Sequence, residues 1–440
     1  MEKQKYYEIE TFGCQMNSSD SERMAGQLVQ LGYAPAEKRE QADLILLNTC
    51  CVRESAENKI YGKIGELKHL KKAKPGLIIV VAGCMAQKNQ DAIFKRAPHV
   101  DIVLGTQHME QLPELVAQAE VRKGHYMNVQ MGDFDFQDLP TKRENKVFAW
   151  VPIMNGCNKF CTYCIVPYVR GREKSRPIED IIKEIRQLAS EGYKEITLLG
   201  QNVNSYGLDF KDGTDFSTLL RAVNEVDGIE RVRYMTSHPR DMKKSMADTI
   251  SSCDKVVTQM HLPIQSGSDW LLKKMNRGYT AEEYMELVKY IREVMPDVVL
   301  TTDLIVGFPG ETEEMHQETL ELLRKVRYDM AYTFIYSPRS GTPAAAMTDQ
   351  VPLDVKKRRL QELMDVQNEI SLALNKEMEG KIYSIIVEGP TRTDENHWFG
   401  RTSGNKMIIF PKEEGIEIGD TVDALVEAGQ TWVLKGRILR

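Results

Sequence analysis

Three cysteines near the middle of the chain have the spacing of a metal-binding motif. Cys157, Cys161 and Cys164 stand as Cys-x3-Cys-x2-Cys. Three thiolates can bind three irons of a [4Fe–4S] cube and leave the fourth iron open to another ligand, whereas a closed cluster takes four. An open coordination position is typical of a catalytic metal rather than a structural one. The spacing therefore predicts a cluster that takes part in chemistry.

Two plainer interpretations compete with this one. Positions i, i+4 and i+7 share one face of a helix, so the three cysteines could be a buried stripe. Gly156 and Asn158 disfavour a helix interior, and Pro167 follows closely, so a metal-binding loop is the better interpretation. A zinc site would need a fourth ligand, and no histidine lies between His125 and His238.

The first 131 residues alternate short apolar runs with amphipathic stretches. Strands are predicted at 6–11, 43–47, 77–81 and 100–104, and helices at 20–31, 54–70, 87–95 and 109–119. Such alternation is typical of an α/β domain with an open, doubly wound parallel sheet. The polar, turn-rich residues 132–146 are predicted to form a linker to the next domain.

Another group of three cysteines, earlier in the chain, is found by topology rather than by spacing. Cys14, Cys50 and Cys84 each come just after the end of a predicted strand. Because the carboxyl ends of parallel strands lie along one edge of a sheet, where ligands bind, we expect these thiols to be close together. The alternative is three unrelated buried cysteines. We predict a second three-thiolate cluster site, with Cys51 as its neighbour and Cys253 as a core residue.

A second series of strands and helices occupies residues 147–375. Strands are predicted at 149–154, 195–199, 231–236, 257–262, 298–306 and 331–336, with helices between them such as 177–190, 280–294 and 311–326. Six βα units in roughly 200 residues predict a partial barrel, less closed than the eight-stranded kind. A long charged helix at 353–379 leads to short strands in residues 376–440, which predict a small all-β barrel of the OB or a related kind.

Composition narrows the classes of protein to consider. The chain is 42% hydrophobic and 28% charged, which is ordinary for a soluble globular protein. Its N-terminus lacks an apolar signal core and no run approaches the roughly 18 apolar residues of a membrane span, so a cytoplasmic location is expected. There, eight cysteines favour ligands over disulfides. The net charge of −6 means that any RNA contact would need local basic patches.

The motifs taken together resemble those of the radical SAM methylthiotransferase family. Cys-x3-Cys-x2-Cys with Tyr163 before the last cysteine is similar to the signature of radical SAM enzymes. The segments around the three upstream cysteines, the segment 302–312 and the C-terminal barrel, similar to a TRAM domain, complete the pattern over nearly the whole chain. Segments 152–157, 165–176 and 199–207 are most similar to the branch that modifies isopentenyl (dimethylallyl) adenosine in tRNA.

The resemblance implies two [4Fe–4S] clusters, S-adenosylmethionine and a radical reaction. The Cys157/Cys161/Cys164 cluster would bind S-adenosylmethionine, whose reductive cleavage gives a 5′-deoxyadenosyl radical that takes hydrogen from carbon 2 of the adenine. The cluster of Cys14, Cys50 and Cys84 would carry the sulfur, methylated by another S-adenosylmethionine. The protein would contribute ligation, positioning and exclusion of water.

Further contacts are expected at the carboxyl ends of barrel strands and in basic stretches. The candidates for cofactor binding are Tyr163, Gln201, Asn202, Ser237, Gln265, Ser266, Asp303 and Gly307. Polar residues at such places are also typical of helix caps and turns. The candidates for RNA binding are Arg170, Arg172, Lys174 and Arg176 beside the cysteine loop, and Arg401 and Lys406 with Trp398 and Phe399 in the C-terminal barrel. The cluster Lys356, Lys357, Arg358 and Arg359 is predicted to be solvated surface.

The expected partners are tRNA, through its anticodon stem-loop, a low-potential electron donor and a sulfur or cluster donor, with no membrane. The target base would be presented unstacked. Two alternatives stay open. A methylthiotransferase of this architecture could act on threonylcarbamoyladenosine or on an aspartate of ribosomal protein S12. The chain could also be a non-catalytic iron–sulfur protein that binds RNA or transfers electrons.

Overall fold

The computed structural model describes residues 4–51, 54–132 and 134–439. Val52 and Arg53, in the segment that follows Cys50, lie outside the described residues. Within the described part, no helix combines the length and apolar character needed to cross a bilayer. The chain forms two compact units, the first made of Met1–Glu144, Met154–Arg176 and Ser337–Ala345, and the second of Asn145–Ile153, Pro177–Tyr336 and Ala346–Arg440.

The first unit is built on a six-stranded parallel sheet. Its elements are β1 (Lys5–Thr11), α1 (Gln15–Gln30), β2 (Tyr33–Pro35), β3 (Leu44–Thr49), α2 (Glu54–Ala73), β4 (Ile78–Gly83), α3 (Cys84–Asn89), α4 (Ala92–Arg96), β5 (Ile102–Leu104), α5 (Leu112–Val121) and β6 (Tyr126–Asn128). The strand order is β2-β1-β3-β4-β5-β6, and every neighbouring pair is parallel. The predicted doubly wound sheet is confirmed.

Helices cover both faces of this sheet. Strands β3 and β4 are buried at every position, as parallel strands covered on both faces must be. On one face Leu44 and Leu46 pack with Leu28 of α1, and on the other Ile45 packs with Ile64 of α2. Alternate residues of each strand therefore feed two separate cores, which hold the carboxyl edge of the sheet rigid.

The chain leaves the first unit at Glu144 and returns to it for a long hairpin. Strand β7 (Phe148–Pro152) belongs to the second unit, and β8 (Met154–Asn155), α6 (Val166–Val169) and β9 (Lys174–Ser175) belong to the first. Strands β8 and β9 pair antiparallel, so residues 156–173 form a loop with both ends fixed.

The second unit contains a series of parallel strands and helices followed by a small barrel. After β7 come α7 (Ile178–Ser190), β10 (Glu195–Leu199), α8 (Phe216–Asn224), β11 (Arg231–Tyr234), α9 (Lys244–Ser252), β12 (Gln259–His261), α10 (Asp269–Lys274), α11 (Ala281–Val294), β13 (Val299–Val306), α12 (Glu313–Val326), β14 (Met330–Ile335) and α13 (Leu353–Lys376). Two parallel sheets, β11-β10-β7 and β12-β13-β14, are joined by a bridge between Val232 and Val256. The strands thus follow one another in chain order, and the predicted partial (βα)6 barrel is confirmed.

The C-terminal strands close into a barrel of their own. They are β15 (Ile382–Pro390), β16 (His397–Arg401), β17 (Met407–Pro411), β18 (Thr421–Gly429) and β19 (Leu434–Ile438), in the order β15-β16-β17-β19-β18. Ile385, Val387, Ile408 and Phe410 are among the residues of its core. The predicted small β-barrel is confirmed. Short 3-10 helices lie at Arg39–Gln41, Met109–Gln111, Val203–Ser205, Pro239–Asp241 and Pro343–Ala346.

The basic start of α13 is not the solvated surface that its sequence predicted. Arg359 is 4% exposed and pairs with Glu311 at 2.8 Å. Lys356 is 6% exposed, and its Nζ donates to the carbonyl of Tyr336 at 3.2 Å. Arg358, in contrast, is half exposed. The prediction was wrong for Lys356 and Arg359 because the face of α13 that packs on the unit carries their charges, each with a buried partner.

Candidate metal centres

The first group of thiols lies at the carboxyl edge of the six-stranded sheet. Cys14, Cys50 and Cys84 follow β1, β3 and β4, which are neighbours in the sheet. The chain runs outward in opposite directions from β1 and β3, so this is the switch point where open α/β sheets bind ligands. The prediction that topology brings these cysteines to one edge is confirmed, and Cys253 lies in a core, as predicted, at 5% exposure.

Glycines allow the turns at this edge to approach each other closely. Gly13 has φ +114°, and a Cβ added there would lie 2.7 Å from the Cβ of Cys50 and 3.0 Å from its Sγ. Gly83 has φ +89°, and its added Cβ would lie 2.4 Å from Oδ1 of Asn48. Both backbone conformations favour glycine. A side chain at either position would collide with the neighbouring turn, so glycine is what lets the turns that carry the thiols pack this closely.

Asn17 ties two of the cysteine turns together. Its Nδ2 donates to the carbonyl of Phe12, two residues before Cys14, at 2.7 Å and to that of Thr49, directly before Cys50, at 3.1 Å. Asn17 itself is fully buried. The turns therefore move as one body, and the thiols that they carry keep their separation.

The thiols of Cys51 and Cys84 are coupled by a hydrogen bond. The Cys51 thiol stabilises the Cys84 thiolate and lowers the pKa of Cys84 to about 6, and the Arg170 guanidinium acts in the same direction while burial opposes both. The same hydrogen bond and burial raise the pKa of Cys51. Because iron binds thiolates, Cys84 is the better ligand of the two and Cys51 the donor beside it.

Arg170 lies in the interior rather than facing a phosphate, so its predicted RNA contact is wrong. It is 3% exposed, and its Nη2 pairs with Asp20 at 2.7 Å and donates to Oδ1 of Asn17 at 2.9 Å. A basic run in sequence does not reveal that one member points inward. Arg170 follows Cys164 by six residues, yet its charge reaches the turns of the first cysteine group.

The second group of thiols lies in the loop between β8 and β9. The backbone of Cys157 donates to the carbonyl of Gly171 at 3.1 Å, and that of Cys164 to the carbonyl of Cys161 at 2.9 Å. Gly156 has φ +78°, and an added Cβ would lie 2.0 Å from the carbonyl oxygen of Arg172. The segment of the three cysteines is not helical, so the predicted loop is confirmed over the buried stripe.

Burial has the largest effect on the pKa of Cys157, the first thiol of this motif. Desolvation raises the pKa of Cys157 to about 12, although the Lys159 backbone N–H, 3.4 Å from Sγ, favours the thiolate. Cys161 is also buried and Cys164 is half-buried. Iron binding at this loop must displace the proton of Cys157, since the ligand is the thiolate.

The sequence did not predict that a distant segment of the chain packs on this loop. Residues 337–345 lie against it, where Ala344 donates its backbone N–H to the carbonyl of Thr162 at 2.9 Å. Nη1 of Arg339 donates to the carbonyl of Tyr163, the predicted cofactor contact, which is half-buried. The turn-rich composition around Gly341 and Pro343 was the only signal, and it does not say what a turn contacts.

Strain marks the carboxyl ends of the barrel strands in the second unit. Thr236, after β11, has φ +69°, and Gln265, after β12, has φ +78°. Left-handed backbone costs a residue with a side chain about 1–2 kcal/mol, and such outliers cluster at functional sites. Ser237, next to the first outlier, is 2% exposed and its Oγ has no hydrogen-bond partner among the described residues. Oε1 of Gln201 is likewise buried without one.

Other predicted cofactor contacts already have structural partners. Asn202 donates to Asp241 at 2.6 Å, and Ser266 Oγ lies 3.3 Å from the hydroxyl of Thr319. Asp303 is 3.5 Å from His261 on the neighbouring strand. An added Cβ at Gly307 would lie 2.2 Å from the Cγ of Lys356, so packing alone requires glycine there. The orphaned groups of Ser237 and Gln201 are therefore the better candidates for a ligand.

The remaining RNA candidates divide into exposed and internal groups. Arg172 is exposed, with its guanidinium 4.6 Å from the centre of the Phe160 ring, and Lys174 is exposed with Asp135 at 3.3 Å. Arg176 is half-buried.

In the C-terminal barrel the two residues predicted to contact RNA, Lys406 and Arg401, form ion pairs within the chain. Lys406 is mostly buried, 2.8 Å from Asp329 and 2.7 Å from Asn375, which contradicts its prediction. Arg401 pairs with Glu388 at 3.0 Å. Beside Trp398, the Nζ of Lys412 lies 5.4 Å from the ring centre.

The donor sets suit an iron–sulfur cube better than a single ion. Within residues 4–51, 54–132 and 134–439, no three histidine, cysteine or carboxylate side chains converge on a point where one metal ion could sit. A cube does not require convergence, because each thiolate binds a different iron. The two groups of three thiols, each carried on turns that glycines allow to pack closely, fit such a group.

Three family models match successive parts of the chain. Residues 6–105 match the model described as uncharacterized protein family UPF0004. Residues 151–323 match the radical SAM superfamily, and residues 376–439 match the TRAM domain.

Relatives that share half of their residues with this chain extend over its whole length. A protein of Acetivibrio thermocellus is 50% identical over 100% of this chain and 92% of its own. One of Moorella thermoacetica is 50% identical over 99% and 98%, and one of Carboxydothermus hydrogenoformans is 51% identical over 98% and 99%. All three are named tRNA-2-methylthio-N(6)-dimethylallyladenosine synthase.

Solved structures show the same fold at much lower identity. The radical S-adenosylmethionine methyltransferase TsrM of Kitasatospora setae, solved with cobalamin and a [4Fe–4S] cluster, is 14% identical with a TM-score of 0.57, over 78% of this chain and 77% of its own. The cobalamin-dependent S-adenosylmethionine radical enzyme OxsB is 13% identical with a TM-score of 0.54, over 83% of this chain and 56% of its own. These likenesses concern the fold alone.

Proposed function

Because the chain belongs to the family of tRNA-2-methylthio-N(6)-dimethylallyladenosine synthases, we propose that it adds a methylthio group to carbon 2 of N6-dimethylallyladenosine in tRNA. The observation that carries the proposal is the identity of about half of all residues over essentially the full chain, shared by several relatives of one name. Fold likeness alone would not separate this activity from other radical enzymes.

Two groups of thiols would hold the two [4Fe–4S] clusters. Cys157, Cys161 and Cys164 would bind one and Cys14, Cys50 and Cys84 the other, each leaving an iron without a protein ligand. When bound, the clusters and S-adenosylmethionine supply the radical and the sulfur that this reaction needs, which no side chain can supply. The role of the chain is to deliver thiolates, to hold the turns that carry them close together at the glycines and to exclude water.

The polar groups at the barrel strand ends would bind S-adenosylmethionine. The Oγ of Ser237 and the Oε1 of Gln201 are buried and have no hydrogen-bond partner among the described residues, and an unpaired buried polar atom is costly unless a ligand satisfies it. Gln265 follows β12, the next strand of the series after those that precede Gln201 and Ser237, and its backbone conformation is strained. Asn202, Ser266, Asp303 and Gly307 would shape this end of the barrel through their internal contacts.

The substrate tRNA would meet the exposed cations beside the cysteine loop. Arg172 and Lys174 are exposed, and phosphate contacts by such residues position a nucleic acid without reading its sequence. The reaction also needs a low-potential electron donor and a sulfur or cluster donor. We propose that the protein works in the cytoplasm, with its tRNA substrate.

Reconstitution under anaerobic conditions tests the enzymatic proposal. Purified chain, loaded with iron and sulfide and incubated with dithionite, S-adenosylmethionine and substrate tRNA, should form 5′-deoxyadenosine and the 2-methylthio nucleoside, read by mass spectrometry. A loaded protein that forms no 5′-deoxyadenosine would instead be the non-catalytic iron–sulfur protein of the alternative.

Iron content tests the assignment of ligands. The loaded chain should hold about eight irons, two cubes' worth, and about half of that after Cys157, Cys161 and Cys164 are changed together to Ala. Cys253→Ala is the matched control and should keep all of the iron, since Cys253 lies in a core. Full iron content in the triple variant would contradict the assignment.

Analysis of tRNA from a deletion strain tests the substrate. Loss of the 2-methylthio group from the isopentenyl-type nucleoside alone is expected. Loss from the threonylcarbamoyl-type nucleoside, or of a modification on ribosomal protein S12, would transfer the activity to the corresponding alternative.

A further inference from the structure

Arg170 and Asp20 form a buried ion pair whose place in the fold needs an explanation. The two side chains are 4% and 7% exposed, with 2.7 Å between Nη2 and Oδ2. A buried ion pair must repay the desolvation of both charges, and apolar side chains of the same volume are often as stable. Stability is therefore a weak reason for this pair, and its neighbours supply a better one.

The guanidinium of Arg170 is fixed from several directions. Nη2 also donates to Oδ1 of Asn17 at 2.9 Å, and Nη1 donates to Oδ1 of Asn155 at 3.4 Å. The carbonyl of Arg170 accepts from Nδ2 of Asn155 at 3.0 Å and from Nε2 of Gln107 at 3.1 Å. With both its backbone and its side chain held, the residue keeps its charge at one position.

That position is beside the first group of thiols. Asn17, which accepts from Arg170, holds the turns that carry Cys14 and Cys50 through the carbonyls on their flanks. Arg170 also acts electrostatically on Cys14 and Cys84 and helps to lower the pKa of the Cys84 thiol. A single cation thus acts on each of the three cysteine turns, either through its charge or through Asn17.

Resting on the proposed function, we propose that Arg170 is a positioning residue of the Cys14/Cys50/Cys84 centre, which locks its turns together and offsets the negative charge of the bound cluster. Three thiolates bring three negative charges to a site in which Cys50 and Cys84 are buried and Cys14 is exposed, and the buried Asp20 adds another charge nearby. Around the buried thiols charges interact strongly, so a fixed cation favours the reduced, more negative form of the cluster. The reduction potential of this centre therefore depends on Arg170 and Asp20 with opposite signs.

The full-length chain carrying Cys157→Ala, Cys161→Ala and Cys164→Ala is the parent for the test, because only the first centre then contributes iron and an electron paramagnetic resonance signal. Asp20→Asn/Arg170→Met removes both charges without leaving either of them alone in the interior. Asp20→Asn by itself leaves the guanidinium unopposed. The readouts are iron per chain and the midpoint potential from an anaerobic redox titration.

The midpoint potential should move to a more negative value in Asp20→Asn/Arg170→Met and to a more positive value in Asp20→Asn. Loss of iron from a double variant that keeps its circular dichroism spectrum would also support the proposal, because the turns would then need Arg170 to retain the cluster. Should the double variant fail to fold, the positive shift in Asp20→Asn still decides. Potentials that stay at the parent value, or move in the same direction, would overturn the proposal.

A matched ion pair at the opposite edge of the same sheet is the control. Lys71 and Asp101 are paired at the amino edge, and both are partly buried. Lys71→Met/Asp101→Asn should leave the potential unchanged. If the parent chain itself binds no cube, the ligand assignment of the proposed function fails instead, before any variant is compared.

Discussion

At the scale of single residues, the first cysteine group depends on a glycine as much as on its thiols. Gly13→Ala should lower the iron content of the loaded chain from about eight to about four, because the new methyl group would lie 2.7 Å from the Cβ of Cys50. Iron analysis and thermal unfolding check this. Gly32→Ala is the control, since Gly32 has a similar φ of +86° but meets nothing within 4 Å.

The two alanine variants separate a clash from backbone strain. Both residues are left-handed, so both variants should lose about 1–2 kcal/mol of stability. Only Gly13→Ala should also bind less iron. Equal iron contents in the two variants would mean that the approach of Gly13 to Cys50 does not matter for the cluster.

Adjacent thiols at positions 50 and 51 are expected to have different roles. Cys50→Ala should remove about four irons per chain, whereas Cys51→Ala should keep about eight. The reason is that Cys50 faces the glycine turn of Cys14, while the raised pKa of Cys51 keeps its thiol protonated beside Cys84. Iron analysis of both loaded variants, with their 5′-deoxyadenosine formation, checks the difference. Iron loss in Cys51→Ala and not in Cys50→Ala would reverse the assignment.

The thiols could be predicted from the sequence, but the charges around them could not. A short motif and the rule for parallel strand ends suffice to find Cys157 and Cys14 with their partners. Arg170 and Lys406 looked like surface cations, because a basic stretch says nothing about which side chain turns inward. Burial depends on partners distant in sequence, such as Asp20 and Asp329.

At the scale of elements, the fully buried strands of the first sheet were all predicted. Strands β3 and β4 are buried at all six positions and β5 at all three, and these strands were predicted, whereas β2 and β6 are mostly not buried and were not. The helix predicted at 87–95 is two short helices, because Gln90 takes φ +49° and ends α3. The start of α1 at Gln15 was also missed, since its first turn carries polar residues that are buried by the cysteine turns.

The segment predicted as a linker lies along α1. An added Cβ at Gly26 would lie 2.2 Å from the carbonyl oxygen of Pro140, and Lys142 donates its backbone N–H to the carbonyl of Glu22 at 2.8 Å. Leu139 packs on the core beneath. Contact of this closeness buries part of the polar face of α1, with consequences for its titratable groups.

Glu22 on α1 should make stability depend on pH. Burial raises its pKa from 4.5 to about 7, so the folded state binds the proton more tightly than the unfolded chain. Its stabilising contribution is complete below the unfolded pKa and is lost as pH rises through about 7. Glu22→Gln should therefore unfold at a higher temperature than the natural chain, by an advantage that grows from pH 5 to pH 8 to the order of 1–3 kcal/mol and then levels off.

Thermal unfolding of the cluster-free chain across this pH range is the measurement. Glu37→Gln is the control, because Glu37 is exposed. A pH-independent difference between Glu22→Gln and the natural chain would show that the carboxyl group ionises in the folded state as it does in the unfolded one.

At the scale of the whole molecule, each compact unit is built from segments that are not consecutive in the chain. Both groups of thiols belong to the first unit, although β7 of the second unit comes between them in sequence. Order along the chain suggests successive domains, and only the contacts of residues 154–176 with the sheet reveal where this loop belongs. Thr106, for instance, donates its hydroxyl to the carbonyl of Val169 at 2.5 Å.

Within the second unit, the C-terminal barrel docks on the partial barrel through backbone carbonyls. Arg233 donates to the carbonyl of Ser403 and to that of Thr402, both at 2.8 Å, and Arg231 donates to the carbonyl of Arg401 at 2.9 Å. Both arginines also pair with Glu195. The turn between β16 and β17 is thereby held against the first residues of the barrel strands.

Removing one of these arginines should loosen that turn without unfolding the barrel strands. In Arg233→Met two hydrogen bonds to carbonyls are lost and Glu195 keeps only Arg231, 3.4 Å away, which costs about 3 kcal/mol. Amide hydrogen exchange in β16 and β17 should then speed up by about a hundredfold, since each 1.4 kcal/mol is a factor of ten. Arg186→Met, on the exposed face of α7, is the control and should leave exchange unchanged. Equal acceleration in β10 and β11 would mean instead that Arg233 stabilises the whole unit, and that docking of the C-terminal barrel does not rest on it.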